Sequence, residues 1–291
     1  MQFFFTFASP KKNQLSKKVS LTHFLFKNSK IAKKRLLNVA FSKGGSEEEY
    51  SECPDRKTGV KSFEQLRKKF SEREWKMVLI DVREDKVSSK REEIMNLIYP
   101  KATFMDINIS SALWFASRGI GKLFIPNPKT DCIDSTQFAN STHFTNSTNS
   151  AVYHSRARLL FSGLGADELL GGYSRHRSCF KKKGEKGLEE ELEMDLERIY
   201  ERNCGRDDRI FSSNSVEVRF PFLDEDVVSF LSNLKVSQKC DLREAPGVGD
   251  KKILRMLAKS EGIISNQTKR AIHFGTRIAK IFKSKNGEEE F

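Results

Sequence analysis

The chain has 291 residues, 37% of them hydrophobic and 31% charged, with a net charge of +13. That length suits one large domain or two small ones, with enough apolar content for a buried core. No apolar run approaches the roughly 18 residues needed to cross a bilayer, and the five cysteines stand singly without a CxxC pair, which speaks against a disulfide framework or zinc site and for a reducing compartment.

Residues 1–35 carry nine Lys or Arg and no acid, so most of the positive charge sits in this N-terminal arm. A like-charge block is expected to be solvated and disordered; binding to nucleic acid or a lipid surface through it is the weaker alternative. "FFFTFA" (3–8) is too short for a signal-peptide core and no basic segment precedes it. The arm is acid-free like a transit peptide, but its basic residues are nearly all lysine, so a cytoplasmic location is expected, with a mitochondrial one as the alternative.

"LLNVAF" (36–41) predicts a buried strand, and "SKGGSEEEYSECPDRKTG" (42–59) reads as loop. In "VKSFEQLRKKF" (60–70), Phe63, Leu66 and Phe70 fall at helical spacing, and "MVLIDV" (77–82) is the clearest strand. Helices are predicted over 90–100, stopped by Pro100, and over 106–119, capped by Asp106 and ended by Gly119. Residues 126–150 are rich in Ser, Thr and Asn and read as a surface loop or insertion; its Asn140-Ser141-Thr142 triplet is a product of that composition.

Strand "ARLLF" (157–161) then leads into "SGLGADELLGGYSRHR" (162–177). Helices follow at 187–203, at 224–234 capped by Asp224, and at 250–262 starting on Asp250; 267–283 reads as a basic amphipathic helix. Strands and helices alternate first and helices dominate later, which predicts a parallel α/β sheet followed by a helical part.

A strand, a Gly-rich turn and a helix is a recurrent way to hold phosphate on backbone N–H groups. Here Ser162, Gly163 and Gly165 form the turn, and a helix is predicted from Ala166 with Asp167 and Glu168 in its first turn. Such carboxylates either favour the helix dipole or hold Mg²⁺ beside phosphate. Glu217, Arg219 and Asp224 admit two readings, a substrate pocket or a structural Arg–carboxylate pair with a cap, and the structural one is favoured.

The ordered motifs SG-x-GADE-x-x-x-GY (from Ser162 to Tyr173), "EVRFPFLDEDVV" (217–228), "GDKKILRMLA" (249–258) and "KRAIHFGTRIAK" (269–280) resemble the synthetase domain of the glutamine-dependent asparagine synthetase family. The resemblance spans residues 36–283, leaving the arm and a 284–291 tail outside. It implies a sheet of the adenine nucleotide alpha hydrolase (ATP pyrophosphatase) type. It implies an ATP-consuming, Mg²⁺-dependent ligase: aspartate is adenylated on its side chain, and ammonia from a glutaminase domain or subunit displaces AMP. On that resemblance Phe41, Ser162, Gly163 and Gly165 are nucleotide-binding, Asp167 and Glu168 catalytic with Asp167 on Mg²⁺, and Glu217 and Arg219 substrate-binding.

The sequence departs from the family pattern in three ways. The family's SGG-x-DS phosphate loop is not found ahead of "LLNVAF", and "SKGGS" (42–46) is a poor imitation in the wrong place. The glutaminase domain, with its cysteine after the initiator Met, has no counterpart, since Gln2 follows Met1. Leu164 stands where an acid is usual, and counting back from Phe274 puts the family's lysine position on Ala271, with Lys269 and Arg270 beside it. The expectation is a chain inactive alone, with a degenerate fold acting as a binding or scaffold subunit as the rival reading.

Overall fold

Strands that are apolar on consecutive residues are buried on both faces, and the two central strands behave this way in the computed structural model, which describes residues 4–7, 33–101, 103–126, 151–263 and 267–282. In chain order the first elements are β1 (Phe4–Phe7), β2 (Lys33–Ser42), α1 (Glu47–Ser51), α2 (Pro54–Lys69), β3 (Glu74–Arg83), α3 (Glu84–Ile98), α4 (Phe104–Ser117), β4 (Ile120–Leu123), β5 (Tyr153–His154) and β6 (Leu159–Phe161). They continue with α5 (Ala166–Leu169), α6 (Ser174–Glu197), a π-helical turn (Tyr200–Cys204), α7 (Gly205–Ser213), β7 (Glu217–Arg219), a 3₁₀ turn (Pro221–Leu223), α8 (Glu225–Ser232), α9 (Val236–Lys239), α10 (Lys252–Ser260), α11 (Ile272–Gly275) and a final 3₁₀ turn (Ile278–Lys280).

The sheet has seven strands in the order β5-β4-β3-β2-β1-β6-β7. It is mixed, not parallel as expected. β2 and β3 run parallel, as do β6 and β7, whereas β1 is antiparallel to both its neighbours and β4 to β3 and β5. Two segments of the expected 1–35 arm thus belong to the sheet, β1 and the start of β2; residues 8–32, the loop at 127–150 and the tail lie outside the described residues.

The alternation along β3 divides the core. Trp75, Met77 and Leu79 pack with Leu36, Phe63 and Leu66 on the α2 side. Val78, Ile80 and Val82 pack with Leu37, Val39 and Phe41 against α3, α4 and α7 on the other. α4 is buried almost all round, as its apolar sequence requires. Among the described residues no helix is long and apolar enough to cross a membrane.

Several local expectations change. Most of 42–59 is helical: Ser46 caps α1 by accepting from the Glu49 N–H at 3.2 Å, and Pro54 takes the first position of α2, where its missing N–H costs nothing. Thr103, not Asp106, caps α4. The helix expected at 187–203 is the second half of α6, which kinks at Gly184. α10 starts after Lys251, a left-handed residue, while Asp250 accepts from the Gly247 N–H and pairs with Arg255. The segment 267–283 holds only α11 and a 3₁₀ turn. Asp224 does cap α8.

One buried pin ties α2 to the sheet. Arg56 Nη2 stands 2.7 Å from Asp81 on β3, and its Nε donates to Asn38 on β2 at 2.5 Å. Only 2% of Arg56 and 13% of Asp81 is exposed. Removing one partner strands the other charge without its counterion. Arg56→Met is therefore expected to lower unfolding stability by about 3 kcal/mol, with part of the loss recovered by adding Asp81→Asn; urea titrations of the single and double variants check this.

Candidate functional site

The turn after β6 faces a cavity of 850 Å³. Ser162, Gly163 and Leu164 form one wall, Asp167 and Glu168 lie beside them, and Lys251 and Lys269 arrive from the C-terminal helical part. Among the described residues the lining holds nine lysines and arginines against five carboxylates, so the cavity favours an anion.

The turn itself is ordered by its own chemistry. Ser162 N–H completes the sheet by donating to Arg219 O at 2.9 Å, and Ser162 Oγ accepts from the Leu164 N–H at 3.3 Å. Gly165 takes φ +96°, and a side chain there would run into Leu223. α5 is a single turn of four residues, not the long helix expected from Ala166. Its dipole is correspondingly small, and the positive charge of the site comes from side chains instead.

Asp167 is the centre of that charge. Its Oδ1 lies 2.8 Å from Lys251 Nζ and its Oδ2 3.7 Å from Lys269 Nζ. Gly172 makes room for the carboxylate: a side chain at 172 would occupy the position of Asp167 Oδ1. Burial works to raise the Asp167 carboxyl, but the two ammonium groups outweigh it and hold it at about 2. Lys269 also sits 4.4 Å from the centroid of the Tyr173 ring, and Arg175 lies 4.3 Å from the same ring.

Glu168 has a different role. It is buried, which raises its pKa, and it accepts a 2.5 Å hydrogen bond from the Tyr173 hydroxyl. Burial beside these carboxylates raises the Tyr173 phenol, so it stays a donor. Tyr173 is fixed in turn by His176. The fully buried His176 accepts from the Tyr173 N–H through Nδ1 and donates through Nε2 to Asp195 at 2.8 Å, the tautomer assigned from these partners. Burial raises Asp195, but its bonds to His176 and Arg175 dominate and lower it.

A second buried group lies on the same cavity. Arg206 Nη1 donates to Asp106 at 2.8 Å and its Nε to Asp207 at 2.9 Å, joining α7 to the first turn of α4. Burial raises the Asp207 carboxyl despite this pairing.

Of the residues expected at the site, Ser162, Gly163, Asp167 and Glu168 lie together on the wall, and Gly165 supports them from behind. Phe41 does not line the cavity. It is 1% exposed, packs edge-on against Phe115 and donates its N–H to Thr276 O. Glu217 and Arg219 pair with each other on the exposed face of β7, and neither lines the cavity. Lys269 reaches Asp167 although the count from Phe274 falls on Ala271; residues 267–271 are not helical. Lys251 and Tyr173 lie inside the family motifs without an assigned role, and Arg206 lies outside them. Their signal is a basic or aromatic residue next to a carboxylate, and only the fold supplies the pairing.

A mixed α/β sheet with a basic cavity at the Gly-rich end of β6 is the setting in which the comparisons with known proteins fall. Residues 180–277 match the asparagine synthase family model, and that stretch belongs to the family. The chain is 44% identical over 233 residues to asparagine synthetase domain-containing protein 1 of Gallus gallus, covering 79% of this chain and 33% of that protein. Its counterpart in Homo sapiens is 39% identical over 249 residues, 84% of this chain and 36% of that protein. The putative asparagine synthetase (glutamine-hydrolyzing) 1 of Methanocaldococcus jannaschii is 43% identical over 82 residues, 28% of this chain and 15% of that protein. The chain thus spans about a third of the length of the two domain-containing relatives, and the asparagine synthetase resemblance read from its motifs is shown.

The Asp167 ion pair has a defined pH signature. A carboxylate whose folded pKa lies below its unfolded value stabilises the fold above the unfolded pKa, and that contribution is lost as pH falls through the folded one. With 3.8 lowered to about 2, the contribution is about 2 kcal/mol at neutral pH. Lys251→Met is expected to be less stable than the native chain at pH 6 and above, with the difference shrinking as pH falls from about 4 to about 2. Chemical denaturation at pH 6 and pH 2.5 measures it.

Proposed function

We propose that this domain binds ATP in the cavity beside Ser162 and activates the side-chain carboxylate of aspartate, as an asparagine synthetase-like ligase does. The observation that carries the reading is the convergence of Lys251 and Lys269 on Asp167 at the turn that follows β6. An aspartate carboxylate oxygen would form a bond to the α-phosphorus while the bond to pyrophosphate breaks. Ammonia nitrogen would then bond to the acyl carbon, and AMP would leave with the oxygen. The lysines act on the first step. Negative charge gathers on the departing pyrophosphate, and preorganised ammonium groups lower its energy most there.

The turn contributes position. Ser162 presents a hydroxyl already ordered by the Leu164 N–H, and no atom outside the turn crowds the place where a side chain at Gly163 would begin. A phosphate group can therefore approach that backbone closely. Glutamine hydrolysis would be supplied by a glutaminase domain or subunit, and the singly placed cysteines favour a reducing compartment, the cytoplasm first.

A second reading is favoured by one residue. Leu164, 7% exposed, puts an apolar side chain on the wall at the position where the family pattern carries an acid. On that reading the domain is a degenerate fold that acts as a binding or scaffold subunit and forms no amide.

Pyrophosphate release separates the two. With ammonium salts supplied in place of glutamine, the ligase reading expects pyrophosphate only when ATP and aspartate are both present. ATP binding by calorimetry without aspartate-dependent pyrophosphate, or folded protein that binds no ATP, defeats the ligase reading and favours the second.

A further inference from the structure

Mg²⁺ is what the family resemblance would seat on Asp167, and the donor set there does not fit it. Both oxygens of Asp167 face ammonium groups, Lys251 at 2.8 Å and Lys269 at 3.7 Å. The adjacent carboxylate, Glu168, is held by the Tyr173 hydroxyl. Among the described residues no group of three or more His, Cys, Asp or Glu side chains could hold a metal ion. Mg²⁺ binds through one or two carboxylates together with phosphate oxygens and keeps a strict octahedral shell. Two lysines already pair with Asp167, and the cavity around them carries nine lysines and arginines against five carboxylates among the described residues, which disfavours a divalent cation and attracts an anion.

The same geometry suits a phosphate directly. An ammonium group has three N–H donors, and Asp167 takes only one from Lys251. Lys251 is 13% and Lys269 20% exposed, so both are held in place with their heads on the cavity wall. The Tyr173 ring supports Lys269 at 4.4 Å, keeping its charge without using a donor.

We infer that Lys251 and Lys269 form a polyphosphate clamp that binds its ligand without a divalent cation, with Asp167 serving to align the two lysines and not to ligate metal. The inference rests on the polyphosphate reading of this cavity made above. Asp167 is a positioning residue in this scheme: its removal leaves both ammonium charges present but less well aligned.

The experiment is a calorimetric titration of the full chain with inorganic pyrophosphate, once in EDTA and once in excess Mg²⁺. Binding in EDTA is expected to be at least as tight as in Mg²⁺, within about threefold. Lys269→Met should weaken EDTA binding about tenfold or more, the usual loss for a charge-assisted phosphate contact. Asp167→Asn should weaken EDTA binding by less than Lys269→Met does, because alignment is lost while both ammonium charges remain, and should leave the ratio of EDTA to Mg²⁺ binding within about threefold of native. Binding that needs Mg²⁺, or that Asp167→Asn abolishes in a protein with a native melting transition, overturns the clamp while leaving the ATP reading standing. Absence of binding in both buffers overturns both. Should Asp167→Asn fail to fold, the two-buffer comparison on the native chain and on Lys269→Met still decides.

Discussion

The contact on which the site depends is a buried carboxylate shared by two lysines. Asp167 and Lys251 are 84 residues apart in the chain, and Lys269 lies further on still. A charge removed from water must be paired, and the pairing here draws the start of α10 and the non-helical segment before α11 onto the turn after β6. The neighbouring residues follow from that need. Gly172 leaves space for the carboxylate, the Tyr173 ring lies beneath Lys269, and the Tyr173 hydroxyl satisfies Glu168. His176 and Asp195 then fix Tyr173 from below.

A comparison within the molecule shows why this pair has a chemical use and another does not. Arg56 and Asp81 are paired as closely, at 2.7 Å, and buried as deeply. Arg56 also donates to the Asn38 side chain and to main-chain oxygens of β2 and β3, so its charge is spent on joining α2 to the sheet. Lys251 and Lys269 border open cavity instead, and each keeps donors free of Asp167. Two ion pairs of similar geometry therefore diverge in role through what surrounds them.

The sequence made the centre of the fold readable and left its contacts hidden. β2 and β3 were legible because both faces are buried, which makes their residues continuously apolar. The stretch 42–59 misled because its serine, glycines and proline serve equally as loop formers and as helix starts, and Ser46 and Pro54 are helix starts here. The mixed sheet could not be read, since β1 is four residues in a basic stretch and its pairing with β2 and β6 is set by topology alone. At the site, Ser162, Gly163, Asp167 and Glu168 were legible as one local motif. Lys269 was visible only as a neighbour of the counted position Ala271, since a count along the motif carries no information on the fold of 267–271, and Lys251 drew no role because its left-handed position ahead of α10 leaves no pattern. Phe41 had been carried to the nucleotide from its place near the end of β2, and its ring turns instead toward Phe115 in the core.

Leu164 and the lysine-held Asp167 belong to one electrostatic argument. An acid at 164 would add a third carboxylate to those of Asp167 and Glu168, and three carboxylates against two lysines would make a net negative corner able to accept a divalent cation. Leucine removes that charge. The turn then carries an apolar wall on one side and an ammonium pair on the other, both on the same cavity. A polyphosphate entering it meets positive charge with less competing negative charge, so the need for a bridging metal falls as the acid is lost. The departure at 164 and the double pairing of Asp167 thus act in the same direction, toward direct recognition of an anion by side chains of the protein.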